Sequence, residues 1–371
     1  MMYRYRLCIL LSIGLFFGAC SNMTQKEQRG SKQGCTCPCP QDTLFTPLPS
    51  FDQSGFRFLV TGDPQYNEEE MNPDGPSVQN SDRLAQVFFQ KICCHNYEGL
   101  VIAGDLTHNA RLVELNHYRQ SIGCYQSYVF DGIGNHDFAW INNAQQDVAA
   151  FARFGLNQIL PLQDIHWPEA CLEIWQEVRD RKRIPSVNGS FPNIHYSWDW
   201  EEIHFVQLNI SPSEQPVTYK PAQHPFQAFS FLKKDLEEQV GRSGRPVILV
   251  HHYGLDAFSR GLNAEGQINP LGEWWTAAAR QRYWTLLADY NVIAIFSGHA
   301  HYCDDCYLPW DGQQIGVGEV GPHFIPTFIA GAAREGKYLD CQITTDSLII
   351  HRIDQQQLIF RKAFAIQRPV K

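Results

Sequence analysis

The chain has 371 residues, 44% of them apolar, and a formal net charge of −9. That apolar share supports a buried core, in one large domain or two smaller ones. The acidic balance and the lack of a long basic block argue against a nucleic-acid-binding face, so no nucleic-acid partner is expected.

The chain opens on "MMYRYR", with Arg4 and Arg6, followed by the apolar run "LCILLSIGLFFGA". Spanning a bilayer takes about 20 residues, and this shorter run suits a signal-peptide core. It closes on "FGAC", where Cys20 resembles the lipidated cysteine of a bacterial lipobox, although Phe17 stands where that box usually has Leu. Residues 1–20 are therefore predicted to be a signal segment with lipidation at Cys20. The protein is expected to be exported and tethered to a membrane of the cell envelope; plain secretion or a signal anchor is the alternative. Residues 21–50 read as a flexible tether ending in the Cys/Pro stretch "CTCPCP". Its prolines oppose a regular turn of Cys35, Cys37 and Cys39 around one ion. Disulfides or an odd free thiol are expected instead in an exported chain. A disulfide is also favoured for Cys303 and Cys306, while adjacent Cys93 and Cys94 are read as having separate partners or being buried thiols.

From residue 51 the pattern is that of one globular domain, residues 51–371. "GFRFLVTGD" predicts a strand and "SDRLAQVFFQKICCH" a helix beginning at its Ser/Asp start. "YEGLVIAGD" predicts a second strand, "ARLVELNHYRQSI" a helix and "YVFDGIGNHD" a third strand. Residues 139–190 are irregular and aromatic, and read as an insertion that carries helical pieces. "IHYSWDWEEIHFVQLNI" alternates with period two around its acidic turn and predicts a hairpin. "PFQAFSFLKKDLEEQVG" predicts an amphipathic helix and "RPVILVHHYG" a strand, followed by a second insertion at 255–273. "WWTAAARQRYWTLLADYN" is helical and "VIAIFSGHAH" is a strand. The tail "TFIAGA", "KYLDCQIT", "SLIIHRID", "LIFRKAF" predicts a meander. Strand–helix alternation implies an α/β fold with a partly parallel sheet.

Five apolar runs end in ligand-type residues: "TGDPQ", "AGDLTH", "GIGNHD", "LVHHYG" and "FSGHAH". A lone Gly-Asp is usually a turn, and a lone His pair is usually surface or satisfied core. Five in succession at strand ends fall on the edge where open α/β sheets bind ligands. Carboxylates, an Asn and several His together offer oxygen and nitrogen donors, which suits divalent transition ions better than Ca²⁺. Two such ions can share a carboxylate and a water.

This order of blocks resembles the calcineurin-like metallophosphoesterases, whose pattern is D-x-H, GD, GNH-D/E, a strand-end His and GHxH. The resemblance implies a two-layer β sandwich flanked by helices, two divalent ions (Mn, Fe, Zn or Mg) and a phosphorylated substrate hydrolysed by a metal-bridged hydroxide. It implies that Asp63 and His301 bind the first metal, that Asp105 bridges, and that Asn135, His251 and His299 bind the second. His251 is preferred over His252, which becomes a supporting residue. His136 is implied to act on the substrate, with Asp137 orienting its imidazole. His108 either touches the site or has no role. The departure is Gln65, which stands where the pattern has His; it is expected to be a weaker ligand of the first metal. A branch resembling serine/threonine protein phosphatases shares this "DPQ", which tilts the reading toward a phosphatase. A catalytically degenerate binding protein and a phosphodiesterase or nuclease are the alternatives.

Overall fold

Phe56–Thr61 (β1), rich in aromatic and β-branched residues, is hydrogen-bonded on both sides, parallel to Tyr97–Ile102 (β2) and antiparallel to Lys337–Ile343 (β10). This computed structural model describes residues 55–366, apart from 71–74, 96, 139–183, 186–194, 219, 221–222, 263–264, 268, 270–271 and 302–324. The signal segment with Cys20, the tether with its three cysteines, most of the first insertion, and Cys303 and Cys306 lie outside the described residues, as do the side chains of Cys93 and Cys94. Among the described residues, no helix is long and apolar enough to cross a membrane.

The remaining strands are Val129–Asp131 (β3), Ile184–Pro185 (β4), Tyr196–Trp200 (β5), Ile203–Gln207 (β6), Val247–His251 (β7), Val292–Ser297 (β8), Thr327–Ile329 (β9), Ser347–Asp354 (β11) and Gln357–Ala365 (β12). They form two six-stranded sheets, ordered β12-β11-β10-β1-β2-β3 and β4-β5-β6-β7-β8-β9. The sheets face one another across an aromatic core. Phe58 of the first sheet meets Phe205 edge-on at 5.4 Å and Phe296 at 6.2 Å, both from the second. The two-layer sandwich expected from the sequence is present. Within it, β1-β2-β3 and β6-β7-β8-β9 are parallel. Parallel strands covered on both faces read as unbroken apolar runs, which is the pattern of "VILV" and "VIAIF". The predicted hairpin is β5–β6, turning at Glu201 and Glu202.

Two details differ from the expected elements. The first helix (α1) runs Pro76–His95, beginning before Ser81. Pro76 suits a first helical turn, where its missing N–H would be unpaired anyway. Ser81 instead donates to the Pro64 carbonyl at 2.8 Å and ties α1 to the "DPQ" loop. In the tail, β9 joins the second sheet beside β8, so the meander is β10–β12 alone. The other described helices are Leu112–Ile122 (α2), Ala228–Asp235 (α3), which continues into a π turn, and Ala277–Leu287 (α4), capped by Thr276.

An ion-pair chain, buried at His204 and Asp235 and exposed at Asp199, joins α3 to the second sheet. His204 sits between Asp235, at 2.8 Å, and Asp199, at 2.7 Å. Burial opposes its charge, but hydrogen bonds and attraction from the two carboxylates raise its pKa. Below the ordinary value of 6.5 the ring is charged in folded and unfolded chains alike, and the stabilisation is complete. It is lost as pH rises through the higher folded value. His204→Ala leaves buried Asp235 with only the Ser197 hydroxyl and no opposite charge, and is expected to cost about 3–5 kcal/mol. In denaturant titrations across pH, the gap to wild type should be widest in acid and shrink above neutrality. A gap independent of pH would refute a charged His204.

Candidate metal centre

The site forms where the parallel strands of both sheets end together. Asp63 follows β1, Asp105 follows β2, Asn135 opens the 3₁₀ turn after β3, His252 follows β7, and His299 and His301 follow β8. Asp63, Gln65, Asp105 and His299 all have left-handed backbones, with φ of 52°, 40°, 56° and 69°. Each such residue costs about 1–3 kcal/mol, and strain of this kind collects at functional sites. The loops are stapled to one another across strands. Asp63 accepts from the His299 N–H at 2.9 Å, and Asp105 accepts from the His136 N–H at 2.8 Å. Gly134 is required by close approach: a Cβ there would lie 2.1 Å from Asp105 Oδ1. The two glycines before the Asn therefore make room for protein groups, Gly132 for the Gln207 amide and Gly134 for the Asp105 carboxylate.

Asp105, His252 and His299 place one donor atom each within 4.8 Å of one another, all buried. Asn135 Oδ1 lies 3.0 Å from His252 Nε2. This corrects the preference for His251. Consecutive strand residues point to opposite faces, so only one of the two histidines can face the centre. His252 Nδ1 donates to the Ala103 carbonyl at 2.7 Å, which leaves Nε2 turned toward Asp105 Oδ2 at 3.3 Å. An outer carbonyl that orients an imidazole in this way is the usual arrangement behind a metal-ligating His. His251 points to the other side; its Nδ1 donates to the Tyr253 carbonyl and its Nε2 meets the Tyr283 hydroxyl at 3.3 Å.

The donor chemistry fits a divalent cation. His299 Nε2 is buried without a hydrogen-bond partner, and an orphan of this kind calls for a ligand or ion. Burial, then the neighbouring His252, holds the His299 pKa well below the ordinary value, so it presents the neutral form that ligation needs. Burial alone would raise the Asp105 pKa, but His252 and His136 override it and keep the carboxyl far below its usual range. Burial opposes a charged His252, yet Asp105 pushes its pKa up to about 9. That proton must leave before the ring can ligate, so cation binding is coupled to proton release.

On the β1 side, His301 Nε2 lies 3.3 Å from Asp63 Oδ1, and Gln65 is drawn in beside them. Gln65 turns its nitrogen toward Asp105 Oδ2, at 3.0 Å, and its oxygen toward Arg334. His136 Nδ1 donates to the His108 carbonyl at 2.8 Å, and the two rings stack. The residue orienting the His136 imidazole is thus His108, through its backbone, and Asp137 is corrected in that role. Asp137 accepts from the N–H groups of Leu106, Thr107 and Gly134 and from the Thr107 hydroxyl, tying two strand-end loops together. Burial, then Asp105, raises its pKa to about 6.

Three contributors carry no motif and escaped the sequence reading. Asn209 Oδ1 accepts from the Ile133 N–H at 2.6 Å, and its carbonyl from His252 N–H, joining the two sheets' ligand loops. Arg334 touches Gln65. Trp274 stands edge-on to His299 at 4.2 Å, beside Phe258 of the second insertion, and forms an aromatic wall.

Two mixed sheets with flanking helices and an oxygen–nitrogen donor cluster at their shared strand ends describe the class of protein. A sequence profile described as calcineurin-like phosphoesterase matches residues 56–303. The chain belongs to the calcineurin-like phosphoesterase family. No curated protein matches it. Similar solved structures include GAP50, the anchor in the inner membrane complex of Plasmodium, at 11% identity and a TM-score of 0.47 over 85% of this chain and 90% of that one. A phosphopantetheinyl hydrolase from Mycobacterium tuberculosis has 14% identity and a TM-score of 0.39 over 76% of this chain and 91% of that one. A predicted phosphoesterase from Streptococcus pneumoniae TIGR4 has 10% identity and a TM-score of 0.32 over 85% and 99%.

Proposed function

We propose that the protein hydrolyses phosphate esters with a dinuclear centre of divalent cations, and that it does so outside the cytoplasm, tethered to a membrane through Cys20. The observation that carries the reading is the buried donor cluster of Asp105, His252 and His299, in which His299 Nε2 has no hydrogen-bond partner. Asp105, Asn135, His252 and His299 would hold one cation, and Asp63, Asp105 and His301 the other. Cations bound there supply Lewis acidity toward water and the phosphoryl oxygens. The chain's own residues do the rest. Because His136 Nδ1 carries the proton given to the His108 carbonyl, a charged His136 has its second proton on Nε2. That ring is partly exposed, so Nε2 can deliver the proton to the leaving oxygen of an ester. Asp137 keeps the two strand-end loops in register beneath it.

The test is a panel of phosphate mono- and diesters assayed with Mn²⁺, Fe²⁺, Zn²⁺ and Mg²⁺ before and after chelation. Hydrolysis that vanishes with chelator and returns with one of these metals is expected. Preference for monoesters would identify a phosphatase, and preference for diesters a phosphodiesterase. Metal-independent hydrolysis, or binding of phosphate esters with no turnover under any metal, would sink the reading. The membrane tether is checked separately by detergent partitioning of wild type and Cys20→Ala expressed in bacteria. Only wild type should enter the detergent phase.

A further inference from the structure

We propose that Gln65 is not a metal ligand, and that Arg334 locks its side chain as a hydrogen-bond donor pointing into the centre. The two cation positions are then unequal, with the Asp105–Asn135–His252–His299 position tight and the Asp63–Asp105–His301 position weak. This rests on the metal-dependent reading above.

The two neighbours of the Gln65 amide fix which end faces where. Arg334 Nη1 meets Gln65 Oε1 at 2.5 Å. A guanidinium has five donors and no acceptor, so only the amide oxygen can face it. On the opposite side, Gln65 Nε2 lies 3.0 Å from Asp105 Oδ2. An ionised carboxylate only accepts, so only the amide nitrogen can face it. Turning the amide over would set NH₂ against a cation and oxygen against an anion, losing two charge-assisted hydrogen bonds at once. The same NH₂ lies 3.2 Å from His301 Nε2, whose other nitrogen is 3.4 Å from Glu335. A carboxamide nitrogen has its lone pair delocalised into the carbonyl and does not ligate cations.

Both partners are held in place. Gln65 is 2% exposed, and its backbone N–H donates to the Asp105 carbonyl at 2.9 Å. Arg334 lies in the turn after β9, where its N–H donates to the Asp63 carbonyl at 3.3 Å. Its second terminal nitrogen lies 3.4 Å from both Glu70 Oε1 and Ser77 Oγ. The β1 side therefore carries a donor where the family pattern has an imidazole, beside the Arg334 guanidinium, whose other terminal nitrogen pairs with Glu70. A positive charge disfavours a second cation and favours the phosphoryl oxygens of a substrate.

The test is isothermal titration of Mn²⁺ alone into the metal-free full-length protein. Wild type is expected to show one tight event and one weaker by about tenfold or more. Gln65→Ala should leave the weaker event within about threefold of wild type, or tighter, since no ligand is lost. Arg334→Met should tighten it by about fivefold or more, as the amide oxygen becomes free to turn inward and a repelling charge is gone. Arg334→Lys, which keeps a donor against Oε1, should match wild type, and guards against a folding defect in the methionine variant. A weaker event that loses about tenfold in Gln65→Ala, or two equal events in wild type, would overturn the assignment. Asn135→Ala separates the two readings. If it leaves the tight event unchanged, or wild type takes up no Mn²⁺, the metal reading itself has failed.

Discussion

His252→Ala is expected to empty the tight cation position, whereas His251→Gln leaves metal content near wild type. Structural zinc sites with four ligands bind with about 10–16 kcal/mol, so one ligand carries about 3 kcal/mol, or roughly 10²-fold in affinity. His252 bears that load because the Ala103 carbonyl holds its Nδ1 and turns Nε2 toward Asp105 and Asn135. His251 spends both ring nitrogens on Tyr253 and Tyr283 and should register in thermal stability instead. Elemental analysis and a melting curve on each variant check this. A metal-depleted His251→Gln beside a metal-replete His252→Ala would reverse the assignment.

Turnover in His136→Ala is expected to fall by about 10²–10⁴, the usual worth of a general acid. Metal content should stay close to normal, because the hydrogen bond from this residue to Asp105 comes from its backbone N–H, which alanine keeps, while its imidazole Nε2 stands 4.0 Å from Asp105 Oδ2, beyond hydrogen-bond distance. Alkyl phosphates should lose more than aryl phosphates, whose leaving groups need less help from a proton. His108→Ala removes the stacked ring but keeps the carbonyl that positions His136, and should cost far less. Equal losses on alkyl and aryl esters would refute proton donation by His136.

How much of this was legible before the fold was known depends on how local the signal is. Strand ends were legible because each is a short apolar run stopping at Gly-Asp, Gly-Asn, Gly-His or, at the end of β7, His-His. The edge of the sheets as the place of the site followed from their alternation with helices. Asp63, Asp105, Asn135, His299 and His301 could be picked out because several strands ended in ligand-type residues in one order. The choice between His251 and His252 was not legible. Both follow the same apolar run, and what decides is which face of β7 meets the other sheet's loops.

Asp137 was misread for a related reason. Adjacency to His136 suggested contact, but the 3₁₀ turn sends the carboxylate down toward Thr107 and Gly134, and a carbonyl from another strand end holds the ring. Arg334 lies 269 positions from Gln65 and Asn209 lies 76 from Ile133, so no spacing rule connects either pair. By itself, the sequence determined that this is a calcineurin-like α/β chain with a set of ligand-type residues at its strand ends, because periodicity and motif order are properties of neighbouring residues. Only the tertiary structure decided which histidine faces that set, which carbonyl orients the His136 ring, and which way the Gln65 amide points. Those outcomes depend on groups brought together from distant strands, where donor must meet acceptor.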